Sequence, residues 1–153
     1  MKAEGKKLSA LLKNSEAKLK RGSADPVVNR LVIDSRRVTP GSLFFALPGM
    51  RHDGTSFVDE ALTRGAVGVV SNAPRRFGNS KAVFVNSADP RVTLAKVARR
   101  FFGKPDKDLT LIGITGTNGK TTVSYLAKHF LSLDDVKTGC LGTIGYDLVE
   151  RVL

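Results

Sequence analysis

The chain has 153 residues, of which 41% are hydrophobic and 25% charged, a balance that indicates a folded globular protein and excludes a disordered or fibrous one. No apolar run approaches the roughly 20 residues that a membrane span needs, so we expect no membrane insertion. The net charge of +11 suggests a nucleic-acid partner, but the basic residues are spread along residues 1–107 without the interleaved aromatic side chains that stack on bases, so we expect none.

Two features of the sequence bear on location. The first twelve residues contain lysines but lack the apolar core of about 7 to 15 residues that a signal peptide has. Cys140 is the only cysteine, so the chain cannot contain an internal disulfide framework. Both features predict a cytoplasmic protein.

Residues 1–103 alternate between strand-like and helix-like patterns. Leucines near helical spacing predict an amphipathic helix over residues 6–20, ended by Gly22. The elements predicted after it are strands at 27–33 and 43–47, a helix at 56–64, strands at 66–70 and 82–85, and a helix at 90–102. This alternation indicates an α/β domain.

Residues 103–107 are polar and carry two helix breakers, which predicts a linker and a domain boundary after residue 104. A strand at 109–114, a glycine-rich turn, a helix at 120–133 and a strand at 137–144 follow, which together make one βαβ unit. A lone βαβ unit cannot bury both faces of its sheet. We therefore expect that it packs on the first domain or that the chain is the front end of a longer protein.

The glycine-rich turn is a candidate phosphate-binding loop. Such a loop aims backbone N–H groups at one point beside a helix N-terminus. Lys120 would reach the β- and γ-phosphates of ATP and act as the catalytic residue, and the Thr121 hydroxyl would bind Mg²⁺. Ile114 stands where the strict pattern has a glycine, so a plain turn remains the alternative. The predicted ATP-binding residues are Gly116, Thr117, Asn118, Gly119, Lys120, Thr121 and Thr122.

The stretch ITGTNGKTT at 114–122 resembles the ATP-binding loop of the Mur ligases and the related folylpolyglutamate synthetases, which also lacks the early glycine. Upstream, residues 34–49 (DSRRVTPGSLFFALPG) and the later pair Asp53-Gly54 resemble the N-terminal domain of two Mur ligases, those that add the third residue and the terminal dipeptide of the peptidoglycan stem. Residues 137–146 (KTGCLGTIGY) and Thr117 favour the third-residue enzyme, since the dipeptide-adding enzyme more often has serine at the place of Thr117.

The resemblance implies a fold and a set of ligands. Residues 1–104 would be a small mixed-sheet α/β domain that binds the UDP end of a UDP-N-acetylmuramoyl-peptide. Residues 105–153 would be the first βαβ unit of an incomplete central ATPase domain. ATP and Mg²⁺ are the implied cofactors, and a monomer is expected. The implied UDP contacts fall on Ile33, Ser35, Met50, Arg51 and His52.

The implied reaction is ATP-dependent amide formation in peptidoglycan and cell wall synthesis, in which the third stem amino acid is added to UDP-MurNAc-L-Ala-D-Glu through an acyl phosphate. Family members are several hundred residues long, so we expect this chain to be an N-terminal portion that is inactive alone. Two alternatives stay open, namely a non-catalytic UDP- or nucleotide-binding module and the dipeptide-adding ligase.

Overall fold

The computed structural model describes residues 4–19, 24–49, 53–73, 81–149 and 151–152. The chain divides into two compact units, residues 1–109 and residues 110–153, which we call the first and second units. No helix in these described ranges is long and apolar enough to cross a bilayer.

The first unit is built on a five-stranded mixed sheet. Four adjacent strands run parallel in the order β4-β5-β6-β7, β2 pairs antiparallel with β7 at one edge, and β1 and β3 form a separate antiparallel pair. The predicted α/β class is confirmed by this sheet. The strands are β1 (Lys6–Lys7), β2 (Lys18–Leu19), β3 (Val27–Val28), β4 (Arg30–Val32), β5 (Ser42–Phe45), β6 (Gly68–Ser71) and β7 (Val83–Asn86).

Helices cover both faces of this sheet. Side chains alternate along a strand, so Leu43 and Phe45 of β5 belong to one core cluster while Phe44 belongs to the other. The first cluster contains buried residues of α1 (Leu8–Leu12) and α3 (Pro90–Phe101), and the second contains buried residues of α2 (Val58–Thr63). The result is a three-layer unit whose strands are buried on both sides.

The start of α3 is encoded locally. The Asp89 carboxylate accepts hydrogen bonds from the backbone N–H groups of Arg91 and Val92 at 2.8 and 3.1 Å, and Pro90 occupies the first helical position, where no N–H is needed. The helix ends before Gly103, which has a φ of +81°. The helix predicted at 90–102 is therefore confirmed within one residue.

The second unit consists of one helix and a small antiparallel sheet. The helix α4 spans Lys120–Leu133, as predicted, and the sheet has the order β10-β9-β8. An ion pair between Lys128 of the helix and Asp147 of β9 links the two. The strands are β8 (Cys140–Gly142), β9 (Gly145–Leu148) and β10 (Arg151–Val152).

Three predicted elements are wrong. The helix expected over 6–20 has only five residues, because Asn14 takes a left-handed φ of +56° and Lys18–Leu19 pairs with β7. Residues 109–114 form no strand, since no strand in the described ranges pairs with them. The strand expected over 137–144 is shortened to β8, because the chain turns at residues 143–144 and returns antiparallel as β9.

Candidate functional site

The glycine-rich loop of the second unit owes its shape to two glycines. Gly116 has a φ of +151° and Gly119, the residue that precedes α4, has a φ of +74°. Both values are unfavourable for residues with a side chain. A Cβ added at Gly119 would meet no atom within 4 Å, so backbone conformation rather than crowding requires glycine there. The open space beside it is room that a ligand can use.

The loop presents a run of unpaired backbone donors. The N–H groups of residues 117–122 make no hydrogen bond with any described residue, and the first helical bond of α4 joins the Val123 N–H to the Gly119 carbonyl oxygen at 2.9 Å. Unpaired N–H groups at the N-terminus of a 14-residue helix, together with the helix dipole, favour an anion. This arrangement suits a phosphate group.

Lys120 and Thr121 begin α4 beside these donors. The Lys120 ammonium group donates hydrogen bonds to the carbonyl oxygens of Gly116 at 2.6 Å and of Thr117 at 3.0 Å. The half-buried Thr121 hydroxyl has no hydrogen-bond partner among the described residues, so one oxygen ligand is available to a cation such as Mg²⁺. In the same ranges, no three His, Cys, Asp or Glu side chains gather as a metal centre of their own.

A cavity of about 250 Å³ adjoins the start of α4. It is lined by the Lys120–Leu131 part of the helix and by Ile112, Ile114 and the segment 138–143. The predicted residues Lys120 and Thr121 both line it. The other predicted ATP residues lie in the loop or in the first turn of the helix.

In the first unit, a tight turn follows β4. Residues Ser35–Arg37 form a 3-10 helix, and the Asp34 carboxylate accepts from the backbone N–H of Arg36 at 3.1 Å. The guanidinium group of Arg36 donates to both oxygens of the same carboxylate, at 3.0 and 2.8 Å. These side-chain bonds hold the pKa of Asp34 below its ordinary value and raise the pKa of Arg36. Asp34 and Arg36 therefore brace the turn.

Ser35, a predicted UDP contact, is held by a residue that sequence reasoning missed. The Ser35 side chain is buried, and its hydroxyl donates to the Glu60 carboxylate at 2.6 Å. The other oxygen of that carboxylate accepts from the Arg64 guanidinium at 3.0 Å. The hydrogen bond from Ser35, and then that from Arg64, lower the pKa of Glu60. The only sequence signal for Glu60 is its helical spacing to Arg64.

Ile33, the other described UDP candidate, lies at the surface. Its side chain is 60% exposed and lines a cleft of about 300 Å³ beside β4. The predicted contacts Met50, Arg51 and His52 lie outside the described residues. The cleft is lined by Arg30, Leu31, Val32, Ile33, Asp34 and Arg37.

Comparisons with known families match both units. Residues 27–102 match the family described as "Mur ligase family, catalytic domain", and residues 114–152 match "Mur ligase middle domain". A similar relative is the UDP-N-acetylmuramoyl-L-alanyl-D-glutamate–2,6-diaminopimelate ligase of Solibacter usitatus (strain Ellin6076). It is 49% identical over 132 residues, which are 85% of this chain and 26% of that protein. The chain thus spans about a quarter of the length of the curated relatives it matches.

Two solved structures are similar in fold to this chain. One titled as a UDP-N-acetylmuramoyl-L-alanyl-D-glutamate–2,6-diaminopimelate ligase superposes with a TM-score of 0.77 at 24% identity, covering 97% of this chain and 30% of that one. The MurF ligase of Thermotoga maritima in complex with ADP has a TM-score of 0.52 at 35% identity, and the match covers 68% of this chain and 23% of that one.

Proposed function

The chain belongs to the Mur ligase family, and we propose that it supplies the UDP-substrate domain and the ATP loop of a ligase that extends a UDP-N-acetylmuramoyl-peptide. The proposed domains are residues 1–104 for the UDP substrate and residues 105–153 for the start of the central ATP-binding domain. The observation that carries the proposal is the unpaired N–H run at the start of α4, with Lys120 beside it.

The proposed reaction joins an amino acid to a carboxylate at the expense of ATP. The D-Glu carboxylate of UDP-MurNAc-L-Ala-D-Glu attacks the γ-phosphorus of ATP, which gives an acyl phosphate and ADP. The amino group of the incoming amino acid then attacks the acyl carbon and expels inorganic phosphate, losing a proton as the amide forms. The work of the protein in the first step is positioning and charge stabilisation.

The second unit contributes the phosphate-binding residues. The N–H groups of residues 117–122 would hold phosphate oxygens, and Lys120 would exchange its two carbonyl partners for phosphate oxygens. Thr121 would hold Mg²⁺, which, when bound, neutralises charge on the transferring phosphoryl group. The ADP bound in the similar MurF ligase supports a nucleotide at this fold.

The first unit would anchor the substrate far from the reacting carboxylate. Binding energy from a remote UDP group can fix the reacting group near ATP, which raises the rate of the chemical step. The proposed contacts are Ile33 and Ser35 together with Met50, Arg51 and His52. Since ATP is a cytoplasmic substrate, the same proposal places the protein in the cytoplasm, and we propose a monomer.

Two observations favour the third-residue reaction over the dipeptide-adding one. The relative from Solibacter usitatus, at 49% identity, is named for ligation of 2,6-diaminopimelate to UDP-N-acetylmuramoyl-L-alanyl-D-glutamate. Another relative, from Roseiflexus, is named a UDP-N-acetylmuramyl-tripeptide synthetase. We therefore propose UDP-MurNAc-L-Ala-D-Glu as the substrate, and we expect the 153-residue chain to bind ligands without completing the reaction.

Isothermal titration calorimetry of the 153-residue chain tests this proposal. We expect one binding event with UDP-MurNAc-L-Ala-D-Glu and a separate one with MgATP, while a 20-nucleotide single-stranded DNA at 0.15 M salt gives no comparable heat. Incubation with both ligands and an amino acid should release no ADP above background. Absence of binding by both ligands, or tight salt-dependent DNA binding, would contradict the proposal.

A further inference from the structure

The cleft beside β4 is lined by two arginines, Arg30 and Arg37. Neither the Arg30 nor the Arg37 guanidinium has a hydrogen bond or ion pair with any residue in the described ranges, although both line the cleft. Their neighbour Arg36 is different, because it is committed to both oxygens of Asp34. Arg30 and Arg37 are thus the cations of the cleft that remain available for a ligand.

Negative charge in and near the cleft is already matched. The carboxylate of Asp34 is neutralised by its two bonds from Arg36, with a smaller contribution from Arg37. The carboxylate of Glu60, which is close enough to interact with Asp34 and Arg36, is bound by Ser35 and Arg64. An anion entering the cleft therefore meets positive charge that the protein does not itself cancel.

The cleft also has an apolar part and a free strand edge. Ile33 is 60% exposed within it, and β4 is the edge strand of the sheet, so its outer backbone edge pairs with no described strand. An apolar surface next to backbone donors and acceptors suits a base or a sugar. A volume of about 300 Å³ lies at the small end of the range for ligand pockets, which fits one nucleotide-sized group.

We propose that Arg30 and Arg37 bind the diphosphate of a nucleoside diphosphate group whose base or ribose packs on Ile33. Guanidinium groups match phosphate oxygens in pairs, and two of them suit two linked phosphates. A nucleic acid is the less favoured ligand, because none of the described residues that line the cleft has an aromatic side chain for base stacking. The inference rests on the proposed function, since it assigns the diphosphate of the UDP substrate to residues that the family resemblance did not single out.

Calorimetric titration of the full chain with UDP, uridine and inorganic pyrophosphate tests the proposal. The test variant is R30A/R37A, and the matched control K13A/K107A removes the same charge from exposed lysines elsewhere in the first unit. Thermal unfolding of each variant reports whether it is folded. We expect the Kd for UDP to rise by about tenfold or more in R30A/R37A and to stay within about twofold in K13A/K107A.

The outcomes separate this inference from the proposed function. If the wild-type chain and a folded R30A/R37A variant bind UDP with equal affinity, the assignment of the diphosphate to Arg30 and Arg37 is overturned. The proposal that the first unit binds UDP would not be affected. Equal losses in R30A/R37A and K13A/K107A would mean general charge attraction and would also overturn it. If the wild-type chain binds pyrophosphate but neither UDP nor UDP-MurNAc-L-Ala-D-Glu, the cleft is only an anion site. That result would overturn both the nucleoside assignment and the proposed UDP function.

Discussion

Lys120 is tethered to Gly116, because the lysine ammonium group donates a 2.6 Å hydrogen bond to the glycine carbonyl oxygen across the loop. The same group donates to the carbonyl oxygen of Thr117 at 3.0 Å. The Lys120 cation is thus held by the same loop that is proposed to bind phosphate. A nucleotide would have to replace these two bonds with stronger, charge-assisted ones.

Replacing Lys120 with methionine should weaken ATP binding without unfolding the chain. The substitution keeps most of the side-chain length and removes the charge. Because hydrogen bonds to charged groups are strong, their loss should lower the affinity for ATP by about tenfold to a hundredfold. The control is Lys137→Met, an exposed lysine of the second unit. Calorimetry with MgATP compares the two, and equal affinity in both variants would count against a phosphate role for Lys120.

Gly119→Ala should be strained because the residue has a φ of +74°. A left-handed conformation costs a residue with a Cβ about 1 kcal/mol. The backbone at the start of α4 should shift to relieve this strain, and the ATP affinity of the chain should then fall by about fivefold. Gly103→Ala is the matched control, since Gly103 has a φ of +81° and also has no neighbour within 4 Å of an added Cβ. Thermal unfolding and MgATP titration of both variants check this prediction. If Gly103→Ala lowers the ATP affinity as much as Gly119→Ala does, the conformation of Gly119 is not specifically linked to ATP binding by the loop.

The stability of the first unit should depend on pH through Glu60. Its folded pKa lies below the ordinary value of 4.5, chiefly because of the Ser35 hydrogen bond, so the contribution is present above about pH 4.5 and is lost as pH falls through the folded pKa. Glu60→Gln keeps an acceptor for Ser35 but cannot titrate. Urea unfolding at pH 6, 4.5 and 3.5 should therefore show a smaller loss of stability in Glu60→Gln than in wild type.

The control for that measurement is Asp59→Asn on the same helix. The Asp59 carboxylate is exposed and forms no hydrogen bond or ion pair with the described part of the chain. Its variant should follow the wild-type pH dependence. A Glu60→Gln variant with the wild-type slope would show that the Ser35–Glu60 contact is not formed in solution.

Phe45 should be among the residues on which the stability of the first unit depends most. Its ring is fully buried between β5 and the α1–α3 layer, and truncating such a phenylalanine typically costs about 3–5 kcal/mol. Phe102, which is 53% exposed, is the matched control, and Phe102→Ala should cost about 1 kcal/mol or less. Urea denaturation of both variants gives the two values, and similar costs would contradict the assigned core.

Elements with strong local signals could be predicted from the sequence. The Asp89-Pro90 start specifies α3 through a cap and a preset φ, and the apolar runs that became β5 and β6 are buried on both faces as parallel strands require. The helix α4 begins at Lys120 as the glycine loop predicts. In each case the decisive interactions lie within a few residues.

Features that depend on distant residues could not be predicted. Leu8 to Leu19 fits helical spacing, yet Lys18–Leu19 pairs with β7, some 67 residues along the chain, and such pairing overrides local propensity. The Ser35–Glu60 hydrogen bond spans 25 residues and joins two elements whose packing no local pattern encodes. Residues 109–114 have the composition of a strand, but a strand also needs a partner.

We expect two separate nucleotide sites in one chain, and amide chemical shifts of a ¹⁵N-labelled sample can detect each of them. Titration with MgATP should shift the amides of residues 117–122, whose N–H groups have no partner among the described residues, and titration with UDP should shift those of residues 30–37. Each ligand should leave the other set unchanged. Shifts of the same residues by both ligands, or no saturable shift in either set, would contradict the claim.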